Sequence, residues 1–167
     1  MKIGIMGSGT VGSSLGKALI RAGHSVMFSS RTPDSDHMKA LLAECGADAQ
    51  TGSPAQTLAF SDTIAVAMRW DAIPDMVKSA GDWSGKVVID MSNRFGPPPA
   101  GSAGSAGMDL QRLTGARVVK AFNTIGAEHY QNPIFNGERA SMLIAGDDAE
   151  AKKIVRQLVS DIGFDVI

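Results

Sequence analysis

The chain holds one cysteine, Cys45, so it offers neither an internal disulfide nor a cysteine-based metal cluster, and the thiol reads as plain packing. It also lacks an excess of either charge: Lys and Arg number 16 against 17 Asp and Glu, a formal net charge of -1, with no basic run. That balance excludes the electrostatic footprint of a nucleic-acid binder. No stretch approaches the ~20 apolar residues that a spanning helix needs, and the first residues enter a glycine-rich stretch too soon to hold a signal peptide. A cytoplasmic protein without a membrane partner is therefore expected. The three histidines, His24, His37 and His129, offer no metal-ligand spacing. What remains is 44% hydrophobic and 20% charged over 167 residues, the composition of one soluble globular domain that can bury a core without staples.

Short apolar runs alternate with amphipathic stretches, the pattern of an α/β protein in which a mostly parallel sheet carries helices on both faces. Strands are expected near 2–6, 25–29, 48–50, 62–67, 86–91, 116–122, 140–145 and 163–167, each rich in Val, Ile, Ala, Met or Phe. Helices are expected over 10–22, 34–45, 54–60, 71–79, 106–114, 126–131 and 148–161. In the first of these, Val11, Leu15, Ala18 and Leu19 form an apolar face; in the last, Ala151, Ile154, Val155, Leu158 and Val159 recur at helical spacing.

The stretch GSGTVG, residues 7–12, lies between the apolar run KIGIM and the first amphipathic helix. A lone G-x-G-x-x-G is a weak signal and fits an ordinary strand-turn-helix, but strand before and helix after make it a dinucleotide cradle. Gly7 then permits the tight turn, Gly9 lets a pyrophosphate approach the backbone, and Gly12 lets helix and strand pack closely. Ser8, Thr10 and Val11 fill the rest of the loop. The helix N-terminus supplies free N–H groups and positive dipole, so the loop needs no basic side chain. An NAD reader would place Asp or Glu about 20 residues further on, at the end of the second strand. Here that strand ends in Ser29, Ser30, Arg31 and Thr32. Hydroxyls with a guanidinium suit the 2′-phosphate of NADP(H) by charge-assisted hydrogen bonds, although Arg31 also reads as a solvated loop residue.

These segments, with MSNR at 91–94 and VVKAFNTIGAE at 118–128, resemble the NADP-binding domain of deazaflavin-dependent NADP oxidoreductases, which move a hydride between NADP and the 8-hydroxy-5-deazaflavin coenzyme. The glycine motif is shared with many dehydrogenases and with the related ferric-reductase domains of STEAP proteins, whereas KAFNT is more specific. The resemblance runs through nearly the whole chain and implies a doubly wound Rossmann fold with the nicotinamide over the carboxyl ends of the strands. It implies that Thr10, Ser30 and Arg31 face the phosphates, that Met68, Arg69 and Trp70 lie beside the cofactor, and that Ala121, Phe122 and Asn123 line the nicotinamide. Ser92, Asn93 and Asn123 also fall just past expected strand ends, where ligands collect; their polar groups fit either a carboxamide or simple turn capping. Lys120, within an apolar run, reads as a snorkelling side chain in preference to a functional donor. His129, with Tyr130 next to it, follows the nicotinamide segment, and a substrate contact is the lesser of its readings, while His24 reads as a helix-end residue and His37 as a surface one.

Hydride transfer between two bound cofactors needs position and dryness more than acid–base chemistry, so no catalytic residue is assigned. The expected partners are a small-molecule acceptor, deazaflavin or flavin-like, and a second copy of the chain. Two other readings stay open: a reductase of small imines or ketones, and a non-enzymatic NADP(H) sensor. Two features depart from the family. The segment GPPPAGSAGSAG, 96–107, is low in complexity and expected to be a mobile connection, a tolerated insertion more than a substrate gate. The chain also ends at Ile167, where the family continues into a short helical region contributing to substrate binding and dimer contacts, so a single dinucleotide-binding domain over 1–167 is expected.

Overall fold

The apolar runs pair into one parallel sheet. The computed structural model describes residues 1–167. Its first half alternates β1 (Lys2–Met6), α1 (Thr10–Arg21), β2 (Ser25–Ser29), α2 (Asp36–Cys45), β3 (Ala49–Gly52), α3 (Pro54–Phe60), β4 (Thr63–Val66) and α4 (Ile73–Ala80). There follow β5 (Val87–Asp90), α5 (Ala106–Thr114), β6 (Arg117–Lys120), the small strands β7 (Ile134–Phe135), β8 (Glu138–Arg139) and β9 (Ser141–Met142), then α6 (Ala149–Asp161) and β10 (Asp165–Val166). The main sheet runs β3-β2-β1-β4-β5-β6, every pair parallel. Strand order reverses beside β1, and in open sheets of this kind ligands bind outside the carboxyl ends of the strands at such a reversal, here β1 and β4.

Burial follows from two-sided coverage. β1, β4 and β5 are buried almost throughout, as the continuous apolar runs require. One face is packed by Leu15 and Leu19 of α1, Met38 and Leu41 of α2, and Val155, Leu158 and Val159 of α6. The other is packed by Leu58 of α3, Ile73, Met76 and Val77 of α4, Leu110 of α5 and the buried Trp83. Each such side chain contributes about 1.5–3 kcal/mol by leaving water. Cys45 packs against the first face, and burial pushes its thiol up, away from the reactive thiolate.

Three expectations change, and one element is new. Val11 is 36% exposed at the start of α1, and the helix instead buries Gly12, Leu15, Gly16, Ala18 and Leu19. The helix expected over 126–131 is one 3-10 turn, Ala127–His129, because Tyr130 turns into the core and Pro133 follows. Residues 140–145 and 163–167 pair with each other as β9 and β10, joining the main sheet only through an antiparallel bridge between Lys120 and Ala145. A hairpin, β7–β8, turns at Asn136 and Gly137, both in the left-handed region. That Asn-Gly pair is itself a type I′ hairpin signal, unread against the short flanking strands. No helix is long and apolar enough to cross a membrane.

Candidate cofactor-binding site

The loops that leave the carboxyl ends of β1, β2, β4, β5 and β6 carry the residues singled out from the sequence. Gly7 ends β1 with φ +111, and a Cβ there would also press on the Ala67 carbonyl. A Cβ on Gly12 would run into the Gly7 carbonyl, so helix and loop lie closer than any other residue allows. Gly9 differs: a Cβ would meet nothing within 4 Å. Its smallness serves no contact of the folded chain.

Gly9 is also the N-cap of α1, and no side chain caps that helix. By contrast Ser35, Ser53, Ser105 and Asp148 each accept a backbone N–H at the start of α2, α3, α5 and α6. The first intrahelical bond of α1 is Ser13 N–H to the Gly9 carbonyl at 2.9 Å, so the N–H groups before it point out of the helix end unpaired. Thr10 and Val11 are exposed there. Ser8 is held from the side, its carbonyl 2.9 Å from His37 Nε2, which gives the supposed surface histidine of α2 a contact with the loop.

At the end of β2, Ser29 is almost wholly buried, whereas Ser30 turns outward and its Oγ accepts the Thr32 N–H at 3.0 Å. Arg31 and Thr32 are exposed, and the Arg31 guanidinium makes no hydrogen bond or ion pair within the chain. After β4, Met68 lies half-buried beside Gly7. Arg69 points to solvent and pairs with Asp71 at 2.7 Å, and the half-buried Trp70 carries the Arg94 guanidinium 5.4 Å above its ring.

At the ends of β5 and β6 the picture sharpens. Ser92 is buried, and its N–H and hydroxyl both donate to Asp90 Oδ1, at 2.9 and 2.6 Å. Lys120 does not snorkel to solvent; its Nζ donates to Asp90 Oδ2 at 3.1 Å and to the Ser92 carbonyl. Asn123 Nδ2 donates to Asn93 Oδ1 at 3.3 Å, across the gap between the two turns. Ala121 and Phe122 are buried, 0% and 1% exposed, so their side chains fill the core and only the backbone can line a ligand. Phe122 adopts φ +62, a left-handed conformation rare for a bulky residue. The fully buried Tyr130 donates its hydroxyl to the Phe122 carbonyl and meets its ring edge-on at 5.5 Å. Tyr130 therefore supports the turn from inside, while His129 meets the Phe135 ring edge-on at 4.7 Å. No group of three or more His, Cys, Asp or Glu could hold a metal.

The segment 96–107 is not the untethered connection its composition suggests. Asp109 of α5 accepts from Ala103 N–H and Ser102 Oγ, each at 2.6 Å, and from the Arg94 guanidinium. Those bonds, the Ala103 N–H first, hold its carboxyl well down, to about 2. Phe95, 90% exposed, immediately precedes the segment at the carboxyl edge of the sheet.

The family described as NADP oxidoreductase coenzyme F420-dependent matches residues 2–94, more than half of the chain. The chain belongs to that family. The resemblance seen in its glycine, SSRTP and MSNR segments thus holds, and a doubly wound sheet is what the structure shows. Metalloreductase STEAP3 of Rattus norvegicus is 32% identical over 164 residues, covering 98% of this chain and 32% of that protein, so the chain spans about a third of that relative's length. A candidate F420-dependent NADP-reductase from Arthrobacter sp. FB24 superposes with a TM-score of 0.85 at 29% identity, covering 100% of this chain and 83% of the other. A Streptomyces aurantiacus imine reductase shares the fold, with a TM-score of 0.74 at 18% identity, over 100% of this chain and 55% of its own.

Two outcomes test the geometry of this family member. Burial, helped by Glu128, pushes the Tyr130 hydroxyl up to about 12, so it stays a donor at every ordinary pH. Tyr130→Phe leaves the Phe122 carbonyl unsatisfied and should cost about 1–3 kcal/mol, a fall of roughly 2–12 °C in melting temperature at about 2–4 °C per kcal/mol. For Asp109, a folded value of about 2 lies below the unfolded ~3.9. Its contribution is complete above about pH 4 and disappears as pH falls through about 2. Melting temperature should therefore decline over that window in the native protein more than in Asp109→Asn, and a carboxyl titration by NMR should give a midpoint near 2.

Proposed function

We propose that this chain binds NADP(H) along the carboxyl edge of its sheet and serves hydride transfer between that cofactor and a deazaflavin or flavin-like acceptor. One observation carries the reading: α1 opens with unpaired N–H groups, no capping side chain, and empty space over Gly9. An uncapped helix start beside a glycine kept free of any contact suits a pyrophosphate, which the N–H groups and the helix dipole would hold. Ser30, Arg31 and Thr32 would take the 2′-phosphate; the free guanidinium of Arg31 supports this assignment, and the buried Ser29 would contribute position only.

NADP(H), when bound, supplies the hydride chemistry. The chain would supply orientation and dryness: Met68 and Trp70 along one side, the Ser92–Asn93 turn and Asn123 toward the nicotinamide carboxamide. The Asn93–Asn123 bond leaves the Asn93 amide donors and the Asn123 carbonyl oxygen available to such a carboxamide. The deazaflavin side rests on the family's description and on the Arthrobacter protein's similarity. The imine reductases, at 16–18% identity, bear only on the fold and leave the acceptor open.

Two binding experiments follow. Gly9→Val should fold as the native chain does, since nothing surrounds the new side chain, yet lose NADPH in calorimetry; unchanged affinity with native circular dichroism would remove the phosphate role from this loop. NADPH should bind more tightly than NADH. A hydrogen bond to a charged group contributes about 1.5–3 kcal/mol, or roughly 10- to 150-fold. Solvent around Arg31 and the carboxylates of Asp34 and Asp36 in the same segment draw the preference toward the lower figure. Arg31→Ala should weaken NADPH and spare NADH, and equal weakening of both would overturn the assignment.

A further inference from the structure

Asp90 and Lys120 are direct partners on the last rung of the β5–β6 ladder. The Asp90 side chain is 0% exposed, and the carboxylate takes three donors: Ser92 N–H, Ser92 Oγ and Lys120 Nζ. Lys120 Nζ also grips the Ser92 carbonyl, and Ala121 N–H donates to the Asp90 carbonyl at 3.2 Å. With Asp90 wholly buried and the Lys120 side chain 27% exposed, such an ion pair is a poor way to strengthen a sheet, because apolar side chains of similar volume commonly do as well without the desolvation cost. Its bonds converge instead on one turn. With its N–H, hydroxyl and carbonyl all engaged, Ser92 has no freedom left, and that fixes where the next residue, Asn93, departs. On the facing strand, Asn123 stands three residues past Lys120. Two rungs therefore bridge the β5 and β6 turns, a buried charged one beneath and an exposed neutral one above, between Asn93 and Asn123.

We infer that the Asp90–Lys120 pair is a positioning device for the nicotinamide end of the cofactor: the charged rung sets the spacing and direction of the Asn93 and Asn123 carboxamides. This rests on the NADP(H) reading and adds a role that the pair plays through those two residues without touching the ligand. The adenosine half, bound at the ends of β1 and β2, should not sense it.

The experiment compares two ligands by calorimetry, NADPH and adenosine 2′,5′-bisphosphate, which lacks the nicotinamide. The double variant Asp90→Asn/Lys120→Met removes both charges at near-constant volume and avoids a buried unpaired carboxylate. Its affinity for the bisphosphate should stay within about twofold, while NADPH weakens by about tenfold, the worth of one misplaced hydrogen bond. Adding Asn123→Ala should cause little further loss, since the pair acts through that carboxamide. Should the double variant fail to fold, the isosteric Asp90→Asn alone carries the same comparison. Equal weakening of both ligands, unchanged binding of both, or fully additive loss with Asn123→Ala would overturn the inference and leave the NADP(H) reading intact. If the native chain binds neither ligand, both fall.

Discussion

All six strands of the main sheet run in one direction, and this constraint sends every turn at their carboxyl ends to one edge. The glycine loop, the Ser30–Thr32 turn, the Met68–Trp70 segment and the Asn93 and Asn123 turns come from five strands, yet meet along a single rim. A parallel sheet must be covered on both faces, so the rim is the one place where the chain can present polar backbone and short polar side chains without cutting into its core. The location of the candidate site is thus a consequence of the same rule that buries β1, β4 and β5. Order reversal beside β1 then decides where along the rim the crevice opens.

Along that rim the chain relies on backbone geometry more than on charge. A net charge of -1 and a single unpaired guanidinium at Arg31 would be a poor electrostatic lure for a multiply charged ligand. An uncapped helix start is more economical. Its N–H groups are already desolvated on the helix side and aimed in one direction, so little ordering remains when an anion arrives. Four other helices close their starts with a Ser or Asp side chain, and α4, which has no capping side chain, continues directly from a 3-10 turn, Trp70–Ala72.

What the sequence discloses and what it withholds divide along contact distance. The glycine hexapeptide, the missing carboxylate after β2 and the strand-helix alternation are local patterns, and over the first 120 residues they survive into the fold with boundaries shifted by a residue or two. The Asp90–Lys120 pair joins residues 30 apart, and Arg94–Asp109 joins residues 15 apart. Nothing in either segment announces its partner. That is why Lys120 reads as a snorkelling side chain and 96–107 as a free connection until both are seen in space. Ala121 and Phe122 mislead for a related reason: a motif places residues at a site but does not say which atoms face it, and here the side chains turn to the core while the backbone stays at the rim. Val11 reverses that case, with an apolar side chain on the exposed end of α1 where periodicity alone assigns it to the buried face.

Phe122 shows why a chain keeps a conformation it would ordinarily avoid. A left-handed bulky residue costs about 1–3 kcal/mol and persists only where its surroundings over-determine it. Here they do: the ring packs edge-on against Tyr130, and the Tyr130 hydroxyl holds the Phe122 carbonyl from the core side. In an extended conformation Phe122 would continue the line of β6 and carry Asn123 off the end of the sheet. The left-handed residue breaks that line, and the chain turns so that Asn123 meets Asn93 across the gap. The strain and the cross-turn bond are therefore two ends of one arrangement, with Tyr130 bracing the β6 turn and Asp90 and Lys120 bracing the turn of β5.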